Sequence, residues 1–313
     1  MDMKIALIGI GDIAKKAYLP FITTTFSNVN WVLCSRDSTG LAQVAAQYRI
    51  KETYTDYKQL LTAGVDAVMI HSATSSHPSI AAFFLKAGIP TYVDKPLADN
   101  AHDCEALYEL AEQHRQPLYL GFNRRHIPFY NHHLVDVQKG KPLQSLRSLC
   151  WEKHRFNQVG DVRTFIFDDF IHPLDSINIF AKADVQDLHI ISQFQGDKLA
   201  RVDVEWQQNG TLLQASMNRM FGRTQERVSA NFDNQSYQFD NFISGTLWQS
   251  DKTELLQEKD WQPMLATKGF ESMIHEWINV VKTGVLPDNQ MARNLSSHQL
   301  AEAVCHKVVS GLK

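Results

Sequence analysis

"KIALIGIGDIAKK", Lys4 to Lys16, is the stretch whose reading decides the fold. A short apolar run ends on Gly9, Gly11 follows, and Ala14 completes a G-x-G-x-x-A spacing. The first glycine permits a tight turn. The second lets the backbone approach a pyrophosphate where the N–H groups at a helix start favour negative charge, and a small third residue lets helix and strand pack closely. Alone the spacing is a weak signal, because glycine turns between strand and helix are common; its weight comes from what surrounds it.

What surrounds it is an alternation. "NWVLCS" (Asn30–Ser35), "VDAVMIHS" (Val65–Ser72), "IPTYV" (Ile89–Val93) and "PLYLGF" (Pro117–Phe122) read as buried strands. Between them lie helical segments: "IAKKAYLPFI", which Pro20 should end or kink, "STGLAQVAAQY" with Asp37 or Ser38 as N-cap, "PSIAAFFLKAG" closing on Gly88, and one from about Ala101 to Gln113. Strands apolar on both faces and separated by helices predict a parallel sheet with right-handed crossovers. Residues 1–122 are therefore expected to form a doubly wound Rossmann domain.

After Phe122 the rhythm changes. A helix, "IPFYNHHLVDVQKG", leads into the alternating segments "LQSLRSLCWEK", "DLHIISQFQ", "LARVDVEWQ", "TLLQASMNRMF" and "RVSANFDNQSYQFD". Helical sequence returns at "GFESMIHEWINVVKTG" and "NLSSHQLAEAVCHKVVSGL". Residues 123–313 thus read as an α+β domain with an open, mainly antiparallel sheet. The expected fold class is α/β: the N-terminal parallel sheet plus that second domain. An uncovered apolar sheet face would need a partner, so a homodimer or homotetramer through this sheet is expected.

Composition narrows the function. The 313 residues are 44% apolar and 21% charged with net charge −3, so nothing points to nucleic acid or an anionic membrane. No apolar run nears the ~20 residues a bilayer demands, and no signal-type cleavage region follows the N-terminus. Cys34, Cys104, Cys150 and Cys305 are scattered, without the pairing of a disulfide framework or thiolate zinc site. A soluble cytoplasmic protein is expected.

The end of the second strand, "LCSRD", bears on the dinucleotide. An arginine fork at Arg36 suits a 2′-phosphate and Ser35 can donate to it, which favours NADP(H). Asp37, one place on, would serve the ribose hydroxyl of NAD, the alternative.

These motifs converge. The chain resembles the Gfo/Idh/MocA family of NAD(P)-dependent oxidoreductases, and within it the MviM-like branch, on "GIGDIA", "DAVMIHSATSSHP", "VDKPLA", "GFNRRHIPFY" and "FIFDDFIHPLDSI" taken in order. The resemblance implies cofactor contacts at Gly9, Gly11, Asp12 and Ile13, at Ser72, Thr74 and His77, and at Asp94 and Lys95; His77 reads equally as a cap of the next helix. The family's Glu-Lys-Pro becomes Asp94-Lys95-Pro96 here, with the lysine beside the nicotinamide and the Lys95–Pro96 bond cis. The pattern Asp-x-Gly-x-His-x-x-Asp falls on Asp168, His172 and Asp175, with Phe170 at the usual glycine, narrowing the pocket or shifting the turn.

The resemblance makes Lys95, Asp168 and His172 the catalytic set, acting on a secondary alcohol or ketone of a sugar, cyclitol or related polyol. His172 titrates near neutrality, Asp168 would orient it, and Lys95 would steady charge on the substrate oxygen; the roles of Lys95 and His172 are interchangeable on this reading. Arg124, His154, Arg155 and Asp169 are candidate substrate contacts. "EKHRFN" offers Lys153, His154 and Arg155 to an anionic or polyhydroxyl substrate, although three cations on an exposed strand also read as a solvated face. Asp169 and Asp175 read as solvated or capping carboxylates, and the arginines of "RRH" as structural.

Two rivals belong to other classes. A cofactor-binding sensor without turnover shares the fold, but intact Lys95, Asp168 and His172 speak against it. A metal-dependent hydrolase would use Asp168, Asp169, His172 and Asp175, with imidazoles from Asn131–His133, but no H-E-x-x-H signature occurs and the glycine turn would be left unexplained. No metal is expected.

Overall fold

The computed structural model describes residues 3–134, 137, 145–182 and 187–311. Contacts divide the chain into two compact units: unit 1 is 1–122 with 270–290, and unit 2 is 123–269 with 291–313.

Unit 1 is built on six strands: β1 (Met3–Ile8), β2 (Val29–Cys34), β3 (Glu52–Tyr54), β4 (Ala67–Ile70), β5 (Thr91–Asp94) and β6 (Leu118–Gly121). Their order is β3-β2-β1-β4-β5-β6 and every pairing is parallel. The order reverses between β1 and β4, and that reversal opens a crevice at their carboxyl ends. The helices α1 (Leu19–Thr25), α2 (Ser38–Tyr48), α3 (His77–Lys86) and α4 (Ala101–His114) connect the strands. A π-helical turn, Ala14–Tyr18, precedes α1, and Pro20 sits in the first turn of α1. There the absent N–H costs no intrahelical bond, so the proline marks a change of helical pitch and not an end. Asp37 caps α2 by accepting from Gly40 N, Asn100 caps α4 through Asp103 N, and Gly88 (φ 76°) follows α3. Strand β3, unannounced by the sequence, is three residues at the sheet edge.

Unit 2 carries eight strands: β7 (Leu146–His154), β8 (His189–Gln195), β9 (Lys198–Gln208), β10 (Thr211–Asn218), β11 (Gln225–Phe232), β12 (Gln235–Asp240), β13 (Ser244–Gln249) and β14 (Lys252–Gln257). They lie in the order β14-β13-β12-β11-β7-β10-β9-β8, antiparallel throughout except that β10 runs parallel to β7. One face buries Trp151, Val204, Leu213, Ala215, Val228 and Phe239. Of the helix expected after Phe122, α5 (Pro128–His133) is present, and most of the remainder lies outside the described residues. Helix α6 (Ile171–Ile177) packs on β7 and β10.

Helix α7 (Phe270–Thr283) belongs to unit 1, unlike the expectation that everything beyond Phe122 forms the second domain. Its Trp277 ring lies 5.8 Å from Tyr92 and 5.7 Å from Tyr119, and Tyr119 Oη donates to Glu276 at 2.8 Å. Helix α8 (Gln290–Ser310) lies almost wholly in unit 2.

The sheet's second face is not the apolar surface expected. Arg201 pairs with Asp203, Ser216 donates to Asp203 at 2.6 Å, Gln214 donates to Glu205 at 2.9 Å, and Arg227 pairs with Asp240 at 2.9 Å. Ile191, Leu212, Trp248 and Leu255 are the exposed large apolar side chains among these groups, so the face is satisfied largely by cross-strand polar pairs. Among the described residues no helix is long and apolar enough to cross a membrane.

Candidate active site

The crevice of unit 1 is a cleft of about 850 Å³. Gly9, Gly11, Ser35, Arg36 and Ser72 line it, together with His71, which the sequence reading had passed over. Gly9 is fixed there by the backbone: its N–H donates to Cys34 O at 2.9 Å, and its φ is 92°. A Cβ at Gly9 would stand 2.6 Å from Ser72 N and 2.7 Å from His71 C. A Cβ at Gly11 would meet nothing within 4 Å. The first glycine is thus required by the fold, and the second keeps the cleft wall at bare backbone. Gly9→Ala is expected to destabilise unit 1 by at least about 2 kcal/mol, from strained backbone and overlap. Denaturant titration of the variant would show it as a lowered unfolding midpoint.

At the end of β2, Arg36 is exposed while the carboxylate of Asp37 is occupied at the start of α2, 3.0 Å from Gly40 N. Asp12 is also exposed and pairs with Lys16 at 2.6 Å, Ile13 is 40% exposed, and half-buried Thr74 opens a short 3-10 turn. None of these three lines the cleft.

His77 is buried and is a staple between two loops. Its Nδ1 is 2.9 Å from Pro96 O and its Nε2 is 2.9 Å from Ser72 O. Burial lowers its pKa, against the pull of those two carbonyls. The Lys95–Pro96 bond it braces is cis. Lys95 is half-buried, and its backbone N–H donates to Asp94 Oδ1 at 2.8 Å. Asp94 Oδ2 lies 3.6 Å from buried His71 Nδ1, and neither ring nitrogen of His71 has a hydrogen-bond partner. The Tyr18 ring stacks obliquely on His71 at 4.0 Å and its hydroxyl meets that of Tyr92 at 2.6 Å. Burial, with the Asp94 charge beside it, holds the Tyr18 phenol well above its ordinary pKa. The signal for this cluster was a histidine ending an apolar strand.

In unit 2, a π-helical turn, Phe165–Phe170, leads into α6. Fully buried Phe170 ends that turn, at the position of the family's glycine. Asp168 is exposed and His172, on α6, is buried. The expectation that Asp169 and Asp175 are solvated is overturned: they are 7% and 0% exposed. Asp175 accepts from Arg125 Nε at 2.9 Å and from Ser297 Oγ at 2.7 Å. Asp169 is held by Lys153, Arg155 and Arg219. Lys153 and His154 are buried and Arg155 half-buried, so the cations of β7 are no solvated face either. Lys153 donates to the Asp169 carboxylate, while the His154 ring tilts 4.4 Å from Phe221 and accepts from Asn218 N at 3.1 Å. Arg124 meets Glu226 through two bonds of 3.2 and 3.0 Å. Because Asp169 and Asp175 are committed to cations, the carboxylate–imidazole cluster of the hydrolase reading does not assemble. Among the described residues no three His, Cys, Asp or Glu side chains converge as a metal site.

A doubly wound parallel sheet whose crevice opens at a glycine turn defines a dinucleotide-binding protein. Residues 3–122 match the model of an oxidoreductase family with an NAD-binding Rossmann fold, and 135–250 match that of the YceM-like C-terminal domain. A Gfo/Idh/MocA family oxidoreductase from Vibrio cholerae has the same structure, with 52% identity, 99% of both chains covered and a TM-score of 0.95. The chain belongs to the Gfo/Idh/MocA family of oxidoreductases. The YceM protein of Salmonella typhimurium is 29% identical over 98% of this chain and 99% of its own. An inositol 2-dehydrogenase of the same organism is 26% identical over 61% of this chain and 58% of its own.

Proposed function

We propose that this oxidoreductase prefers NADP(H) and interconverts a secondary alcohol and a ketone on a sugar, cyclitol or related polyol. The observation that carries the cofactor preference is the end of β2: an exposed arginine lines the cleft, and the neighbouring aspartate, which lines it too, already uses one carboxylate oxygen to cap α2. The polyol class is supported by the likeness to inositol 2-dehydrogenases, and placement in the MviM-like branch rests on the motifs quoted above. Gly9 and Gly11 would hold the pyrophosphate by backbone, and Ser35 and Arg36 the 2′-phosphate. When bound, the nicotinamide supplies the hydride or accepts it.

The chain's own side chains manage the proton. As a carbinol C–H bond breaks with its electron pair, the O–H proton passes to a base and the C=O bond forms. His172 has the chemistry for that exchange near neutral pH, Lys95 stabilises negative charge on the oxygen, and Asp168 favours the cationic imidazole. The same reading keeps a homodimer or homotetramer joined through the unit 2 sheet, by its ion-paired face instead of an apolar one.

Arg36→Ala is expected to lose roughly 1–3 kcal/mol of NADPH binding and little of NADH binding, the size of a charge-assisted hydrogen bond. Fluorescence titration with both nucleotides reads this directly. Equal losses for the two would remove Arg36 from the 2′-phosphate and return the preference to NAD.

A further inference from the structure

The carboxylate of Asp169 is shared by three cations. Lys153 reaches it from the end of β7, Arg155 from just beyond that end, and Arg219 from just beyond β10, the strand that pairs with β7 in parallel. Arg155 gives two bonds of 3.0 Å, Arg219 one of 3.1 Å, and Lys153 Nζ a short contact. Four donors occupy what two carboxylate oxygens accept, about four lone-pair sites.

The charges do not close. Two guanidinium groups, joined by Lys153 when it is protonated, meet one buried negative group. Exposed Asp168 adds a weaker attraction to Arg219, whereas half-buried Lys268 adds another positive charge near Arg155. Arg124 and Glu226 neutralise each other. Buried charge without a counterpart is costly, so the cluster has room for a second anion. Two further observations point to a ligand. Arg219 Nε is buried without a hydrogen-bond partner, although the two terminal nitrogens of that guanidinium are engaged. The Arg155 side chain is 30% exposed, so the cluster opens to solvent there. Burial also lowers the Lys153 pKa to about 7, although Asp169 pulls it up, and an arriving anion would raise it again. Asp169 lies 172 − 169 = 3 residues before His172, on the same helical segment.

We propose that Lys153, Arg155 and Arg219 bind an anionic group of the substrate, a carboxylate or a phosphate, so that the enzyme acts on an acidic or phosphorylated polyol. That the anion belongs to a substrate rests on the oxidoreductase reading; the anion site itself does not.

The test is calorimetric titration of the full chain with inorganic phosphate, with glucuronate and with uncharged myo-inositol, on wild type, Arg155→Gln, Arg219→Gln and Arg36→Ala. At least one anion should bind wild type and Arg36→Ala alike, and bind both glutamine variants at least tenfold more weakly. Phosphate alone points to sugar phosphates, and glucuronate alone to sugar acids. At pH 7.5 the binding heat should vary with the buffer's ionisation enthalpy, because Lys153 takes up a proton. Inositol binding should not share the dependence on Arg155 and Arg219.

The proposal is overturned if neither anion binds, if the glutamine variants bind as wild type does, or if Arg36→Ala alone loses binding. Each glutamine variant leaves Asp169 two cations, and should one fail to fold the other decides. NADPH titration of the same samples separates the two readings. Anion binding without NADPH binding removes the oxidoreductase and keeps the site; the reverse removes the site alone.

Discussion

Lys95→Ala is expected to lower kcat by a factor of about 10²–10⁴, the usual contribution of a positioned acid or base, while NADPH affinity stays within about threefold of wild type. The structure supplies the reasons for both halves. Strand β5 is buried along Thr91–Asp94, and half-buried Lys95 follows it, with its backbone N–H fixed by Asp94 and the next residue's Pro96 carbonyl held by His77. The Lys95 side chain is therefore delivered by a rigid strand end. Lys95 does not line the cleft formed by Gly9, Gly11 and Arg36, so the nucleotide should keep most of its contacts without it. Steady-state kinetics on a turned-over polyol, with a fluorescence titration of the same variant, checks the split. Loss of NADPH binding in proportion to turnover would make Lys95 a cofactor ligand and not a participant in proton transfer.

Asp175→Asn is expected to destabilise unit 2 by about 3–5 kcal/mol, the cost of breaking a buried ion pair from one side. Asp175 is fully buried; its two carboxylate oxygens take Arg125 at 2.9 and 2.5 Å, and Arg293 donates to its backbone carbonyl at 2.8 Å. The neutral amide would leave two arginines with a single dipole between them. Burial pushes the Asp175 carboxyl up, but Arg125 and Arg293 more than reverse it, so its folded pKa lies below the ordinary value of 3.8. The same balance depresses Glu226, where Arg124 and Lys153 outweigh burial. A depressed folded pKa stabilises the native state above the unfolded value and loses that stabilisation as pH falls through the folded one. Wild type should therefore weaken below about pH 4, and Asp175→Asn should show a shallower acid slope. Denaturant midpoints between pH 3 and 7 measure both; a variant as stable as wild type at pH 7 would contradict the account.

Unit 1 was legible because its signals are local. Its buried strands are continuous apolar runs, and Gly9, Gly88, Asp37 and Asn100 stand where turn and cap geometry demands them. The unread parts lack such signals. Strand β3 has two half-exposed edge residues around an exposed one, and the β13–β14 hairpin exposes half of β13 and most of β14, leaving no periodicity to detect. Its turn is made by Ser250 and Asp251, both at positive φ, where the readable signal would have been an Asn-Gly or Asp-Gly pair. Helix α7 was recognised as a helix, but its attachment to Tyr92 and Tyr119 of unit 1 depends on contacts more than 150 residues apart in sequence, which periodicity cannot report.

For the site, residue type was readable and environment was not. Asp169, Asp175 and Lys153 looked like surface charges because charged residues usually are; only the fold pairs Lys153 with Asp169 and Arg125 with Asp175. His71 looked like the end of a strand, and its place beside Asp94 follows from the pairing of β4 with β5.

The central claim is that the cleft at the Gly9 turn holds a reduced nicotinamide nucleotide with a 2′-phosphate. Titration of the wild-type protein with NADPH and with NADH, read by energy transfer from protein tryptophan to the dihydronicotinamide, tests it most directly. The account predicts saturable binding with NADPH the tighter ligand by at least about tenfold, the equivalent of 1.4 kcal/mol. Saturation by neither nucleotide would contradict it.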